Sequence, residues 1–386
     1  MIIDGEHYPP VVRDALAALP YDVVGALLAG GVEKLRGDDD WGVPLVAALG
    51  EVDADLVVDL SDEPVLGPRE RLALASEALA LGLPYVGADF RFDPPRFHPF
   101  DVPSLAVIGA GKRVGKTAVT GHVARLLARE LRVVVVAMGR GGPREPELVE
   151  SAPSVADLLA RSRAGAHAAS DFLEIAAFAG VPTIGCRRAG GGLAGQVFES
   201  NVLAGADLAR TLEPDVVVFD GSGAAVPPVA VDARILVTGR GHDLDEYLNP
   251  YRVRISDLLV LVGDAKAPSR PADVPIVRVT LRLRPAEELV GRVAVFTTGP
   301  APTEHLDADV VHVSRALANR SALRDELAQI DADTFLVEVK AAAIDVVAEA
   351  AVARGAKLVL ADNEVVPVEG DLDAEILRLV PAKVEA

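Results

Sequence analysis

The sequence has almost no cysteine: Cys186 is the only one among 386 residues. A single thiol excludes an intramolecular disulfide and a zinc site built from several thiolates, and it fits the reducing cytoplasm. No apolar run reaches the roughly 18 residues that a membrane-spanning helix needs. The first residues, MIIDGEHYPP, lack a basic segment followed by an apolar stretch. We therefore expect a cytoplasmic protein without a secretory signal or a membrane partner.

Positive charge is also scarce. The formal net charge is −19 at pH 7, whereas a general nucleic-acid binder needs a basic surface that neutralises phosphates. We therefore expect no nucleic-acid partner. If the substrates are anions, the few cations must be concentrated in one cleft, so Arg and Lys side chains in Gly-rich loops stand out against this background.

Two proline-rich breaks predict the domain organisation. The chain is too long for one typical core. The segments DPPRFHPFDVP (93–103) and APSRPADVP (267–275) interrupt helices and central strands. We predict three parts, which are an N-terminal α/β domain over 1–93, a central domain over 104–266 and a C-terminal α/β region over 276–386.

The central domain alternates apolar runs with helical segments. Runs rich in β-branched residues, most of which end at a glycine, predict buried parallel strands at 104–110, 132–139, 215–221, 233–239 and 258–263. Helical spacing of apolar residues follows the first of these strands and recurs over 170–180. This alternation predicts an α/β fold with a central, doubly wound, right-handed parallel sheet, flanked by smaller α/β domains.

The strongest motif is GAGKRVGKTAVTGHVARLL, from Gly109 to Leu127. A strand runs into a Gly-rich loop, then Gly-Lys-Thr, then an amphipathic helix. In such a loop the backbone amides and the helix N-terminus bind phosphates, a lysine reaches the terminal phosphates, and a hydroxyl ligates Mg²⁺. We assign the lysine to Lys116 and the hydroxyl to Thr117, with Lys112 as a second catalytic cation. The predicted nucleotide-binding residues are Gly109, Gly111, Lys112, Arg113, Val114, Gly115, Lys116, Thr117 and Ala118.

The spacing of this loop, G-x-G-x-x-x-G-K-T, departs from the strict P-loop pattern because Ala110 stands where the first glycine belongs. It resembles dethiobiotin synthetase and the P-loop ATPases and GTPases related to nitrogenase iron protein. This resemblance implies that the central domain is a P-loop NTPase domain. Some members of that class carry a second lysine in the loop, one residue before the position of Lys112.

A phosphate loop predicts an acidic residue near its Mg²⁺. Asp220 follows the apolar run VVVF and precedes a flexible Gly-Ser-Gly turn, so we predict that it joins Thr117 in binding the metal and acts in catalysis. Glu145, in the loop MGRGGPREPE, is a further candidate ligand. A surface Asp that caps a strand and a solvated loop Glu are the ordinary alternatives.

Basic and polar loops supply candidates for binding an anionic substrate. Arg140 follows a strand, at the edge of the sheet where ligands bind in such folds. Arg187 and Arg188 stand beside three glycines, and forked guanidinium donors suit phosphate. The other candidates are Glu6, His7, Arg13, His167, Asp171 and Lys340. Each has an ordinary alternative, such as an exposed Arg pair, a helix cap at Asp171 or a surface lysine.

The chain as a whole resembles the cyclic 2,3-diphosphoglycerate synthetase family. The resemblance rests on ten segments spread over most of its length: 3–13, 30–35, 59–66, 109–122, 138–143, 167–172, 187–195, 220–229, 247–258 and 339–347. It implies a homodimeric enzyme that uses ATP and Mg²⁺ to convert 2,3-diphosphoglycerate into its cyclic pyrophosphate, with release of ADP and phosphate. Phosphoryl transfer between anions mostly requires cations that offset repulsion, and Arg140, Arg187, Arg188, Lys112 and Lys116 would supply them.

Two other interpretations remain open. One is a P-loop kinase or ligase that acts on another phosphorylated or carboxylated metabolite. The other is a regulatory or metal-delivery NTPase whose product is a conformational change. Metal-delivery proteins often carry Cys or His ligands, whereas this chain has one Cys and seven scattered His.

Overall fold

A computed structural model of the chain describes residues 1–35, 40–63, 65–164, 170–269, 274–298, 302–317, 319–339 and 344–380. Among the helices in these ranges, none is both long and apolar enough to cross a membrane.

The described residues of the N-terminal part form six short strands and two α-helices. The strands are β1 (Ile2–Ile3), β2 (Ala26–Leu28), β3 (Leu45–Val46), β4 (Val57–Val58), β5 (Tyr85–Val86) and β6 (Arg91–Phe92), and the helices are α1 (Pro9–Ala18) and α2 (Pro68–Ala80). Two sheets, ordered β1-β2-β3 and β4-β5-β6, are linked by a parallel bridge from Ile2 to Asp59. Both helices carry proline in their first turn, where its missing N–H costs nothing.

The central part holds the phosphate loop. Its strands are β7 (Ser104–Gly109), β8 (Val133–Gly139), β9 (Glu147–Val149), β10 (Thr183–Ala189), β11 (Glu199–Ser200), β12 (Val216–Asp220), β13 (Ala233–Thr238) and β14 (Leu258–Val262). Its helices are α3 (Lys116–Leu127), α4 (Val155–Arg163), α5 (Asp171–Ala179), α6 (Val202–Arg210) and α7 (Asn249–Arg254). The five predicted strands are confirmed, and β10, which we did not predict, adds a sixth parallel strand beside β8.

Burial on both faces explains the near-continuous apolar runs. In β7, Leu105 and Val107 lie in the core on the side of α3 and α5, whereas Ala106 and Ile108 lie in the core on the side of α6. Successive residues of a strand point to opposite faces, so every position of β7 must be apolar or small. The central parallel strands place their carboxyl ends at one edge of the sheet, and the functional loops follow there.

The C-terminal part continues the same sheet. Its strands are β15 (Ile276–Pro285), β16 (Arg292–Phe296), β17 (Asp309–Ser314), β18 (Thr334–Glu338) and β19 (Lys357–Glu369), and its helices are α8 (Arg320–Leu327), α9 (Ile344–Arg354) and α10 (Leu372–Leu379). In the described residues the sheet has the order β11-β10-β8-β12-β7-β13-β14-β15-β19-β18-β16-β17, with β9 paired to β10.

The predicted boundary at 267–275 lies just before a strand that bridges two parts of this sheet. Strand β15 pairs in parallel with β14 on one side and antiparallel with β19 on the other. The parallel sheet of the central part is therefore joined edge to edge to the parallel block β16–β19. The division into three domains stays a prediction.

Candidate active site

The phosphate loop connects the end of β7 to the start of α3. Two of its residues adopt left-handed backbone angles, Arg113 with φ 59° and Gly115 with φ 87°. Such angles are rare for a residue with a Cβ, and they are typical of loops whose amides turn toward a bound anion. The Ala110 amide donates to the Val237 carbonyl at 3.0 Å, which fixes the start of the loop on β13.

Lys116 and Asp220 form a buried ion pair at the base of the loop. The Lys116 ammonium donates to Asp220 Oδ1 at 2.5 Å, and the Thr120 hydroxyl donates to the same oxygen at 2.5 Å. Asp220 is fully buried, and its second oxygen, Oδ2, has no hydrogen-bond partner. Burial raises the pKa of Asp220, the Lys116 charge opposes this shift, and the nearby Asp171 carboxylate adds to it.

Asp171, at the start of α5, also lies near the ion pair of Lys116 and Asp220. The Thr117 hydroxyl donates to Asp171 Oδ1 at 3.3 Å, and Asp171 is close enough to Asp220 to raise the pKa of that carboxyl. Two carboxylates and the loop hydroxyl are thus gathered beside the phosphate loop. Among the residues that the structure describes, no group of three or more His, Cys, Asp or Glu side chains is arranged so that it could hold a metal ion by itself.

A cleft of about 340 Å³ opens over the loop. It is lined by residues 111–117 of the loop, 139–142 at the end of β8 and just after it, 170 and 171 at the start of α5, and 222 and 223 after β12. All of these segments lie at the carboxyl edge of the sheet or at the start of a helix. Asp171 and Arg140, predicted from separate sequence motifs, thus share one cleft with the phosphate loop.

Arg140 and Lys112 lie together over the turn that follows Asp220. A Cβ on Gly223 would meet Arg140 Nη2 at 2.6 Å and Lys112 Cγ at 3.7 Å, and the φ of Gly223 is +59°. The turn therefore favours glycine for its backbone angle, and the missing Cβ leaves room for the Arg140 guanidinium. Because both of these basic side chains line one cleft, the arrangement suits a site that receives an anion.

Arg188 lies near Arg140 and binds the turn after β12, whereas Arg187 does not join this group of cations. Arg188 donates to the Gly190 carbonyl at 2.5 Å and to the Ser222 carbonyl at 2.9 Å. Burial, and then the positive charge of Arg140, lower the pKa of Arg188. The Arg187 side chain is exposed, and only its backbone is fixed, through Asn201 Oδ1 at 2.7 Å.

Other predicted residues lie away from the cleft. Glu145 is 86% exposed, and its carboxylate lies 4.0 Å from the Arg144 guanidinium. The structure therefore does not bring it to Thr117 and Asp220. His167 and Lys340 lie outside the described residues.

The predicted N-terminal residues make their contacts within the N-terminal part of the chain. His7 Nδ1 lies 2.9 Å from Asp4, and Arg13 pairs with Asp40 at 2.9 Å. Glu6 contributes its amide to Asp4. None of Glu6, His7 and Arg13 is among the described residues that line the cleft. Asp4 is fully buried and accepts four hydrogen bonds, so it fixes the turn after β1.

Sequence reasoning missed two groups that hold the loops of the site. Arg252, which is 2% exposed, donates to the Leu193 and Ala224 carbonyls at 2.9 and 2.7 Å and joins the Gly-rich segment after β10 to the turn after β12.

His242 lies against the phosphate loop, with Nε2 3.0 Å from the Lys112 carbonyl. The rule that selected Arg140, a polar residue in a Gly-containing loop after a strand, also fits GRGHD at 239–243.

Comparison with known proteins identifies similar sequences over nearly the whole chain. Family models for the P-loop, N-terminal and C-terminal domains of cyclic 2,3-diphosphoglycerate synthetase match residues 104–282, 1–93 and 290–364 of this chain, respectively. A protein of that name from Rubrobacter xylanophilus is 47% identical over 99% of this chain and 96% of its own length. One from Pyrococcus horikoshii is 40% identical over 94% and 91%. Among solved structures, LpxK from Aquifex aeolicus in complex with ATP aligns with a TM-score of 0.46 and 15% identity, over 74% of this chain and 90% of that one.

Proposed function

Since this chain belongs to the cyclic 2,3-diphosphoglycerate synthetase family, we propose that it uses ATP to close 2,3-diphosphoglycerate into its cyclic phosphoanhydride, with release of ADP and inorganic phosphate. The observation that carries this proposal is the pair of cations, Arg140 and Lys112, that shares one cleft with a phosphate loop. One side of the cleft suits the γ-phosphate of ATP, and the other suits a phosphorylated acceptor.

The reaction takes two balanced steps. An oxygen of one substrate phosphate attacks the γ-phosphorus of ATP, and the bond to the β,γ-bridging oxygen breaks, so that ADP leaves and the substrate carries a diphosphate. An oxygen of the other substrate phosphate then attacks the inner phosphorus of that diphosphate. The terminal phosphoryl group departs as inorganic phosphate, and a ring closed by a phosphoanhydride remains. Both nucleophiles are ionised at neutral pH, so no strong general base is needed.

The side chains of the cleft offset the repulsion between these anions. Lys116 lies at the base of the loop, where it can reach the terminal phosphates, while Lys112 and Arg140 lie over the turn at Gly223. Arg188 holds that turn through the Ser222 carbonyl. Fixed cations in a partly closed site stabilise a transferring phosphoryl group without reorganising at the moment of reaction. We propose Arg140 as a substrate contact and Arg188 as its support.

The residues beside the loop also fit Mg²⁺. Asp220 Oδ2 is buried without a partner, an arrangement that is costly unless a cation or donor compensates it. Mg²⁺ prefers oxygen ligands and is usually held by one or two carboxylates together with phosphates and water. We propose that Thr117, Asp220 and Asp171 hold the ion directly or through water, with Asp171 in the role that the sequence suggested for Glu145. When bound, the ion would neutralise charge on the β- and γ-phosphates.

Asp171 and Glu145 offer a matched pair for testing this metal site. We expect Asp171→Asn to raise the Mg²⁺ concentration needed for half-maximal turnover by about tenfold or more, because a neutral amide is a weaker ligand for a hard cation. Glu145→Gln should leave that concentration unchanged, because Glu145 is exposed and lies outside the cleft. Mg²⁺ titrations of turnover at saturating ATP measure both. An equal response of the two variants would contradict the assignment of Asp171.

Phosphorus NMR of the purified chain with ATP, Mg²⁺ and 2,3-diphosphoglycerate tests the proposed reaction. We expect new phosphoanhydride resonances that grow together with those of ADP and free phosphate. Consumption of ATP without those resonances would contradict this acceptor and favour a kinase or ligase for another metabolite. No substrate-stimulated consumption at all would favour an NTPase driven by a partner.

The resemblance that implies this reaction also implies a cytoplasmic homodimer, and we include this state in the proposal. Sedimentation equilibrium of the full chain should give twice the chain mass of 40.3 kDa. A single species at the chain mass would contradict it.

A further inference from the structure

We propose that His242 is a positioning residue that holds the phosphate loop in its nucleotide-binding conformation. His242 lies in the loop after β13, the strand that pairs with the P-loop strand β7. It is far from the phosphate loop in sequence, and no residue of its segment entered the predicted site. The inference deepens the proposed function and rests on one part of it, the binding of nucleotide at the loop.

A hydrogen bond joins the two loops. His242 Nε2 lies 3.0 Å from the carbonyl oxygen of Lys112. A carbonyl only accepts hydrogen bonds, so the proton of the imidazole must be on Nε2. The bond fixes the peptide group between Lys112 and Arg113, and Arg113 carries the strained left-handed angle of the loop. Holding this peptide keeps the following amides turned toward the cleft.

Steric contact reinforces the hydrogen bond. A Cβ added to Gly111 would lie 2.0 Å from His242 Cε1 and 2.3 Å from Nδ1, and its three nearest atoms all belong to this ring. The φ of Gly111 is not among the positive values in the chain, so an alanine would be tolerated there by the backbone alone. The glycine at this position is therefore explained by the imidazole that lies against it.

The same loop supports the next part of the phosphate loop. A Cβ on Gly239 would meet the Cα of Val114 at 3.1 Å, and the His242 amide donates to the Gly239 carbonyl at 3.3 Å. Lys112 and Arg113 are exposed, so their side chains do not anchor this part of the loop in the core. Within the described residues, the segment 239–242 thus supports the phosphate loop at two points, and His242 provides the polar one.

Binding of ADP with Mg²⁺, measured by calorimetry on the full chain, tests the role of the Nε2 donor. We expect His242→Ala to raise the dissociation constant for ADP about tenfold, the usual scale for one lost hydrogen bond that orders a binding loop. His242→Gln places an amide N–H near the position of Nε2, so we expect it to bind within about twofold of the native chain. His242→Asn has a shorter side chain and should behave like His242→Ala. A purely space-filling role would not separate Gln from Asn in this way.

A double-variant cycle with Gly111 provides a second, independent test. Gly111→Ala alone should weaken ADP binding because its methyl group meets the ring, and adding His242→Ala should relieve the clash. We expect the double variant to bind ADP no worse than His242→Ala alone. Native affinity in His242→Ala, or strictly additive losses in the double variant, would overturn the inference. No ADP binding by the native chain would contradict the phosphate-loop assignment itself, whereas ADP binding without cyclic product would contradict only the proposed reaction.

Discussion

Replacement of Lys116 by alanine should reduce turnover by about 10²- to 10³-fold or more, because it removes the cation that we propose to act at the transferring phosphoryl group. The same change should destabilise the fold. The Lys116 ammonium is the ionic partner of a fully buried carboxylate, at 2.5 Å, and removal of one member of a buried pair costs about 3 kcal/mol or more of unfolding free energy. Turnover assays and denaturant titrations measure the two effects separately.

The pH dependence of stability in this variant follows from Asp220. Burial already raises the pKa of Asp220 in the native chain, and Lys116 opposes that shift. Without Lys116 the folded state binds a proton at Asp220 more readily than the unfolded chain does. The free energy of unfolding of Lys116→Ala should therefore rise as the pH falls from 7 toward the ordinary range of an aspartate.

Asp220→Asn in the Lys116→Ala background is the matched control. It removes the uncompensated charge, so we expect it to restore most of the lost stability and to abolish the added pH dependence, while turnover stays as low as in Lys116→Ala. If Lys116→Ala retains native turnover, the assignment of the phosphate loop is wrong. If its stability does not depend on pH in this way, the buried pair does not have the role described here.

Replacement of Arg140 by alanine should raise the Michaelis constant for 2,3-diphosphoglycerate by about 10- to 100-fold, on the scale of a lost charge-assisted hydrogen bond to phosphate. Arg140 lines the cleft and lies over Gly223 beside Lys112. The Michaelis constant for ATP should change much less, because we propose that the loop amides and Lys116, rather than Arg140, bind the nucleotide. Initial-rate measurements that vary each substrate in turn separate the two constants.

Arg187→Ala is the control that the chain offers for this experiment. Like Arg140, Arg187 stands in a Gly-rich segment and was predicted to bind the substrate, yet its side chain is exposed and lies outside the described lining of the cleft. We expect it to leave both constants within about twofold of native values, as is usual for surface substitutions. Equal losses in Arg140→Ala and Arg187→Ala would contradict the placement of the substrate site at Gly223.

The sequence predicts the central fold well because the signals there are local. Strands buried on both faces need unbroken apolar runs, and β7, β8, β12, β13 and β14 all show them. Strand β15 was not predicted, because its sequence, IVRVTLRLRP, alternates apolar and polar residues instead of forming an apolar run. This alternation also does not show that the strand pairs with β14 and β19. Its position as the link between two parallel blocks depends on pairing between residues more than 70 apart in sequence.

The same distinction between local and long-range signals applies to the residues of the candidate site. The phosphate loop is one contiguous segment, in which a strand is followed by a Gly-rich loop, Lys116, Thr117 and a helix, so its chemistry can be inferred from the sequence. Asp220 can be inferred as well, because it stands at the end of an apolar strand. Which of the remaining polar residues join them is not a local property. Asp171 was predicted as a substrate contact with a helix cap as the alternative, and the structure places it on the Thr117 hydroxyl. Glu145 is also acidic, but it lies in the loop after β8 and its side chain is exposed to solvent.

By itself, then, the sequence determined the fold class, the phosphate loop with its lysine and the family, because apolar periodicity and contiguous motifs are written in consecutive residues. The tertiary structure alone decided that Arg140 rather than Arg187 shares the cleft with the loop, that Arg188 and Arg252 hold the turns around it, and that His242 lies against Gly111. These contacts join strand ends that are brought together only by the pairing of β10, β8, β12, β7 and β13 in one sheet. The order of the strands determines which strands are neighbours in such a sheet, and the spacing of residues along the chain does not specify that order.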